Sequence, residues 1–290
     1  MVKKSTLQYL FFAYSLQGAV LLTAAPVSFT IVVPSHNNAD LVERNLDSLF
    51  CQKSTLPFQV IYVNDHSTDK TGERVEAYAD KHRLSESRLK IIHNKKKVGT
   101  GTENIYNVVT KHVDDHKVVV CVDGDDFLSF SGVLKRLEQE YANEDVWMTY
   151  GRFVVYPEGQ LWSACQGYPN EVIQAGSYRE HPNVPSHLKT FRAKLLKKVQ
   201  RKSLCDVQGN FYRKAGDMAL MFPLLEMCSP RGKNGICHSR YIDDTILYIY
   251  NFSNPLGDAA TQTGREEQIA LKKQIRSQEK YKPLEKLFDT

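Results

Sequence analysis

With 290 residues, 24% charged and 42% hydrophobic, the chain has the composition of a soluble globular protein, long enough for one large domain or two small ones. Its net charge of +5 is spread along the sequence. That suits anionic ligands but not a dedicated nucleic-acid binder, whose basic residues would gather in a denser patch.

Residues 1–26 place Lys3 and Lys4 before a largely apolar run to Ala25. This is the layout of a signal peptide or an uncleaved membrane anchor. A helix from Ser5 to Ala25 would be about 30 Å long, just enough to span a bilayer. Gln8 and Gln17 weaken that span, and an amphipathic or buried N-terminal helix of a cytoplasmic protein is the alternative.

From Phe29 the pattern alternates. "FTIVV" reads as a strand, and Asn37 or Asn38 is placed to cap a helix with Leu41, Val42, Leu46, Leu49 and Phe50 on its apolar face. "FQVIYV", "LKIIH" and "KVVVCV" read as further strands. Helices fall at "STDKTGERVEAYADKH", "GTGTENIYNVVTKHV" and "SGVLKRLEQEYAN", and "VWMTYGRFVVY" closes the series as another strand-like run. Short connections between alternating strands and helices predict a mainly parallel sheet flanked by helices, residues 27–156.

Beyond Tyr156 the alternation stops. Residues 157–260 begin as Gly- and Pro-rich loops, continue into an expected helix at "SHLKTFRAKLLKKV", a second at "AGDMALMFPLLEMC" interrupted at Pro223, and a late strand at "TILYIYNF". This half reads as an irregular substrate-side lobe. Residues 261–290 mix both charge signs and read as a solvated helical tail.

Six cysteines are present. Cys51 and Cys121 sit in apolar segments and read as small buried hydrophobes. Cys228, Cys237 and His238 lack the paired spacing of a zinc site.

In parallel α/β sheets, ligands gather at the carboxyl ends of the strands. There this chain places "PSHNN", "NDHSTD", "NKKKVGTG" and "DGDD" in succession. One such cluster is a turn; four on one rim point to a site. Asp123, Asp125 and Asp126 repel one another unless a cation is present. Hard oxygen donors without nearby His or Cys suit Mg²⁺ or Mn²⁺ shared with phosphate oxygens. Gly124 lets a ligand approach closely. Asp65 is a candidate acceptor for base or ribose hydrogen bonds, and Asp69 a structural cap. Lys95, Lys96 and Lys97 precede a Gly-containing helix start suited to anions, without a P-loop ending. Asp217 begins an apolar helical stretch and is either a helix cap or a functional carboxylate. Glu226, Asp243 and Asp244 are further carboxylate candidates. His187, Lys189 and Arg192 form a polar cluster that could meet phosphates or an acceptor.

"FTIVVPSHNNADLVERNLDSLFCQ", "FQVIYVNDHSTDKTGE" and "VVVCVDGDDFL", in that order, resemble the family 2 glycosyltransferases, and "YRKAGDMA" is similar to the segment carrying that family's base. The resemblance covers about Phe29 to Tyr150 and implies the Rossmann-like GT-A fold. It implies that Pro34, Ser35 and His36 line the nucleotide pocket and that Asp65 contacts a uracil-type base. Asp123, Asp125 and Asp126 match the DxD segment at ribose, metal and diphosphate, with Asp125 first on the metal and Asp123 second. Asp217 becomes the base toward the acceptor hydroxyl. Asn64 and His66 depart from the usual "DDGSTD", and Thr102–Glu103–Asn104 replaces a frequent Ala–Arg–Asn. No QxxRW motif is present, which argues against processive synthesis. The implied activity is inverting, Mn²⁺- or Mg²⁺-dependent transfer from a UDP-type sugar nucleotide to a hydroxyl-bearing acceptor, a glycan in chemistry, within a secretory or membrane-associated setting. An inactive nucleotide- or glycan-binding protein and a sugar nucleotidyltransferase remain as alternatives.

Overall fold

The computed structural model describes residues 28–182, 185–232, 235–254 and 262–288. The predicted alternation is present: β1 (Phe29–Ser35), α1 (Val42–Phe50), β2 (Phe58–Asn64), α2 (Thr71–Lys81), β3 (Leu89–His93), α3 (Gly101–His112) and β4 (Val118–Cys121). Then come β5 (Phe127–Leu128), α4 (Val133–Tyr141), β6 (Met148–Gly151), β7 (Phe153–Tyr156), β8 (Gln160–Leu161) and α5 (Asn170–Ala175). The chain continues through β9 (Ser186–Arg192), α6 (Ala193–Lys197), α7 (Gly216–Met227), β10 (Ser239–Ile242), β11 (Tyr248–Asn251) and α8 (Gln262–Ser277).

A seven-stranded sheet runs β10-β6-β9-β4-β1-β2-β3, and a four-stranded sheet runs β5-β11-β7-β8. In the large sheet β9 alone is antiparallel to its neighbours, β4 and β6; the other pairings are parallel. Strand period two sends Ile31, Val33, Val60 and Tyr62 into one core and Val32, Ile61 and Val63 into the other. The mainly parallel sheet flanked by helices is the one expected. The two halves share the large sheet, since β9 and β10 lie beside β4 and β6.

The expected helix at Ser186–Val199 is a strand over Ser186–Arg192 followed by the short α6. All seven residues of β9 are buried. They fill the slot between β4 and β6, and pairing on both edges overrides a sequence without decisive propensity. "VWMTYGRFVVY" divides at Arg152 into β6 and β7 of different sheets. The division falls where a Cβ on Gly151 would lie 3.0 Å from the Ile242 carbonyl oxygen. Helix α7 runs unbroken through Pro223 because its surroundings bury nearly every residue around it. Neither Asn37 nor Asn38 caps α1. A 3-10 turn, Ala39–Leu41, precedes it, and the loop after β2 and the first residue of α2 supply the partners: Ala39 N–H donates to Asp69 Oδ2 (3.0 Å) and Asn38 N–H to Thr71 Oγ1 (2.8 Å).

Cys51 is exposed rather than buried, at the C-terminal end of α1, whereas Cys121 is buried. The tail is helical as expected over α8, but it is docked rather than solvated. Ile275 and Leu287 enter the core, Tyr281 N–H donates to Glu226 Oε2 (3.0 Å), and the Arg276 guanidinium donates to the His181 carbonyl (2.7 Å). The segment read as a signal or anchor, residues 1–26, lies outside the described residues. Among the described residues no helix is long and apolar enough to cross a membrane.

Candidate active site

Strands β1, β2 and β4 are neighbours, so the segments after Ser35, Asn64 and Cys121 converge on one rim. Ser35 Oγ is turned inward and accepts from Tyr62 OH (2.8 Å) and Asn38 Nδ2 (3.1 Å). It braces the rim rather than facing a ligand. Pro34 packs beside Gly101, where an added Cβ would sit 3.6 Å away. His36 Nδ1–H donates to the Asp65 carbonyl (2.9 Å). With Asn37, Asn38, Lys97, Asp125 and Asn254 it lines a recess of about 290 Å³. His66, where the family pattern has Gly, adopts the left-handed φ of 55° that the turn demands.

Asp65 is buried. Its Oδ1 accepts from Asn94 Nδ2 and Val98 N–H, each at 2.8 Å, and its Oδ2 from Gly99 N–H (3.3 Å). Burial works to raise its pKa, but these donors outweigh it and hold the carboxyl below the usual carboxylate range. Asp65 thereby shapes the loop from Asn94 to Gly101. Asp69 is structural as expected, its Oδ1 accepting from Thr71 N–H (2.9 Å), although the N-cap position of α2 is Lys70 and makes no side-chain cap bond.

The three aspartates after β4 divide by environment. Asp126 is 1% exposed; its Oδ2 accepts from Tyr248 OH (2.6 Å) and its Oδ1 from Asn251 N–H (2.7 Å). Both oxygens serve the fold, so the expectation that Asp126 faces the sugar nucleotide is corrected. It ties the acidic turn to β11. Gly124 is required by the fold: an added Cβ would lie 2.4 Å from Ser35 Cβ. The close approach is to β1, not to a ligand. Asn45 Nδ2 holds the turn from below, donating to the carbonyls of Asp123 (3.0 Å) and Asp126 (2.7 Å). Asp123 and Asp125 line a cavity of about 480 Å³ together with Gly99 to Thr102, His187, Arg213, Asp217 and Tyr250 to Phe252. Asp125 also borders the smaller recess, so the two spaces meet at its carboxylate.

Among the described residues no three His, Cys, Asp or Glu side chains are grouped as metal ligands. Burial pushes the pKa of Asp125 up, although Asn254 Nδ2 donates to its Oδ2 (2.7 Å). A carboxylate held back from ionising in this way gains from a nearby dication. Mg²⁺ and Mn²⁺ are commonly held by one or two carboxylates plus substrate phosphate oxygens. Asp125 with Asp123 is a donor set of that kind.

Asp217 lies in the first turn of α7 and is not its N-cap. That position belongs to Ala215 in the left-handed region, φ 57°, and no side-chain cap bond forms. Instead Asp217 Oδ1 accepts from Lys189 Nζ at 2.5 Å, and Oδ2 lies 3.7 Å from His187 Nε2. Lys189 is 2% exposed at its side chain and Asp217 is 45% exposed, opening into the cavity. Enclosure by protein works to raise the Asp217 pKa, but the Lys189 ammonium outweighs it and holds the carboxyl below its ordinary range. His187 Nε2 also lies 4.0 Å from Asp123 Oδ2. Burial, aided by Lys189, pushes the His187 imidazole down to about 3, so it is neutral near pH 7.

His187 and Lys189 therefore join Asp217, as members of a strand rather than of a helix start. Arg192, on the opposite face of β9, donates to the Val146 carbonyl (3.0 Å) and takes no part. Glu226 is paired with Arg179 in the core (2.5 Å) and Asp244 with Arg136 at the surface (3.2 Å). His238 stacks on Trp147. Tyr248 and Asn254 fall in "YIYNFSNP", which resembles a late element of some family members, but their pairing with Asp126 and Asp125 was not readable because they lie more than 120 residues away in sequence.

The sheet order, with one antiparallel strand set into a parallel array, and an acidic turn beyond β4 define a GT-A type glycosyltransferase fold. The family model for Glycosyl transferase family 2 matches residues 30–200, and the chain belongs to that family. Over 111 residues it is 32% identical to the "Uncharacterized glycosyltransferase EpsJ" of Bacillus subtilis (strain 168), a match spanning 38% of this chain and 29% of that protein. TarS of S. aureus superposes with a TM-score of 0.53 at 18% identity, over 86% of this chain and 42% of TarS. The mannosyltransferase PcManGT of Pyrobaculum calidifontis gives 0.56 at 19% identity, over 87% and 65%. The chain thus spans less than half the length of EpsJ or TarS.

Proposed function

We propose that this glycosyltransferase moves a sugar from a nucleoside diphosphate donor to an acceptor hydroxyl, with inversion and without processive polymerisation. The observation that carries this reading is the cavity in which the Asp123–Asp125 pair and Asp217 face the same space. PcManGT was solved with GDP-Man and Mn²⁺, and TarS with UDP and with UDP-GlcNAc, which supports a sugar nucleotide as donor. The smaller recess, bordered by His36 and Lys97, suits the nucleoside, UDP-type in our reading, and the larger cavity the sugar and acceptor.

Asp125, with Asp123, would hold Mn²⁺ or Mg²⁺, which when bound neutralises charge on the diphosphate. The bond from the anomeric carbon to the diphosphate oxygen breaks, the acceptor oxygen bonds that carbon from the opposite face, and the acceptor proton passes to Asp217. Lys189 occupies Oδ1, leaving Oδ2 to receive that proton. Asp123 and Asp125 stay on the diphosphate side, and Asp65 keeps the Val98–Gly99 backbone in place. We read residues 1–26 as a signal or anchor that places the enzyme in a membrane or secretory setting.

A donor screen with UDP-GlcNAc, UDP-glucose, UDP-galactose and GDP-mannose, with and without Mn²⁺, tests the reading through released nucleoside diphosphate. Turnover that needs Mn²⁺ and disappears in Asp125→Ala is expected. Mn²⁺-dependent UDP binding with no turnover on any donor would favour a binding protein instead.

A further inference from the structure

Five aromatic side chains form a closed circuit from the base to solvent. Ring centroids lie 5.8 Å apart for His187–Phe153, 6.2 Å for Phe153–Trp162, 5.4 Å for Trp162–Phe252, 5.5 Å for Phe252–Tyr250 and 5.8 Å for Tyr250–His187. The small sheet aligns them. Val155 of β7 pairs with Tyr250 of β11 and Phe153 with Tyr248, so strand alternation returns Phe153, Tyr250 and Phe252 to one side. Trp162 N–H donates to the Phe153 carbonyl (3.1 Å) and brings the indole onto the Phe153 ring, 13° from parallel.

Exposure rises along this circuit. His187 and Phe153 are buried, whereas Trp162 is 41% and Phe252 47% exposed. Two large aromatic rings left open side by side mark a surface that meets something. Phe252 and Tyr250 line the cavity that holds Asp217, and Trp162 adjoins Phe252. The same cavity carries Asn251, Asn254, Gln268 and Arg213. Polar edges around an aromatic face are what a sugar ring requires. Its C–H bonds lie against the electron-rich ring face while its hydroxyls, at the periphery, reach hydrogen-bonding groups. An alkyl chain would need no such polar neighbours. In the proposed function the donor nucleobase sits on the other side of Asp125, in the recess bordered by His36 and Lys97.

We propose that Trp162 and Phe252 form a platform for a pyranose ring of the acceptor glycan, seated so that the acceptor chain leaves the cavity across them. This rests on the glycosyltransferase reading and names the acceptor's chemical class. The chain has two tryptophans, and the other, Trp147, is buried against His238. Trp162 is therefore its own reporter.

The test titrates the full chain with UDP and Mn²⁺ and then with methyl glycosides of glucose, N-acetylglucosamine, galactose and mannose, read as tryptophan emission. Decyl phosphate serves as the alkyl probe. Wild type is expected to respond to at least one glycoside, with no emission change in Trp162→Ala and about tenfold or greater weakening by NMR titration in Phe252→Ala. Thermal melts establish that both variants are folded. Silence toward every glycoside, response to decyl phosphate alone, or undiminished glycoside binding in both variants would overturn the proposal. UDP binding in the same samples separates the two readings: its loss in wild type counts against the sugar-nucleotide reading, while glycoside binding still reports on the platform.

Discussion

Lys189 Nζ, buried on β9, donates to Asp217 Oδ1 at 2.5 Å across the junction between the central sheet and helix α7. Burial opposes the charge on Lys189, but Asp217 and Asp123 outweigh it and hold the ammonium above its usual pKa. The pair therefore stays charged, with Oδ1 of Asp217 bonded to Lys189 and Oδ2 facing the His187 imidazole at 3.7 Å.

Removing the cation should be visible in the pH dependence of turnover. As the proposed base Asp217 acts only when ionised, and Lys189 holds its pKa down. In Lys189→Met that pKa rises, so the acid limb of the rate profile moves to higher pH. Asp217→Asn should lower kcat by about 10²–10⁴-fold at pH values above the acid limb, the range for a lost general base. Coincident acid limbs in wild type and Lys189→Met would refute the assignment.

The acidic turn should divide into a ligand half and a structural half. Asp125→Ala is expected to abolish the Mn²⁺ dependence of UDP binding with little change in the denaturant midpoint. Asp126→Ala strips the partners from buried Tyr248 OH and Asn251 N–H and should cost about 1–3 kcal/mol or more. Urea melts and UDP titrations on both variants separate the two effects.

Gly124→Ala should destabilise by about 1–3 kcal/mol, because the new methyl would meet Ser35 Cβ at 2.4 Å. Gly101→Ala, whose Cβ would have ordinary contacts at 3.6 Å and beyond, should fold normally. Equal midpoints for the two variants would contradict the packing described.

Asp65 links stability to acid. Its folded pKa is depressed by the Val98, Asn94 and Gly99 donors despite burial. Such a group stabilises the fold above its unfolded pKa, about 3.9, and the contribution fades as pH falls through the lower folded value. Asp65→Asn should therefore narrow the stability gap to wild type below about pH 4. A gap independent of pH between 7 and 3 would count against ionised Asp65 as the anchor of this loop.

Much of the rim was legible in the chain. Apolar β-branched runs ending in Asn, Asp and Gly require strands with polar carboxyl ends, and β1, β2 and β4 lie where those runs do. Asp217 stood out from its similarity to a base-bearing segment, and it lines the cavity with Asp123 and Asp125. The local pattern misled at Ser186–Arg192, where Leu and Lys suggest a helix and pairing to β4 and β6 imposes a strand.

The sequence by itself determined the alternation of strands and helices, the family, and the types of oxygen donor at the rim, because these depend on local periodicity and on motifs a few residues long. Only the tertiary structure decided which carboxylates face the cavity. Asp123, Asp125 and Asp126 are chemically identical along the chain. They differ because Tyr248, Asn251 and Asn254, brought back by β11, bind Asp126 inward and reach Asp125 at the cavity edge. The same long-range closure places Lys189 of β9 beside Asp217 of α7, a pairing between residues 28 apart in sequence.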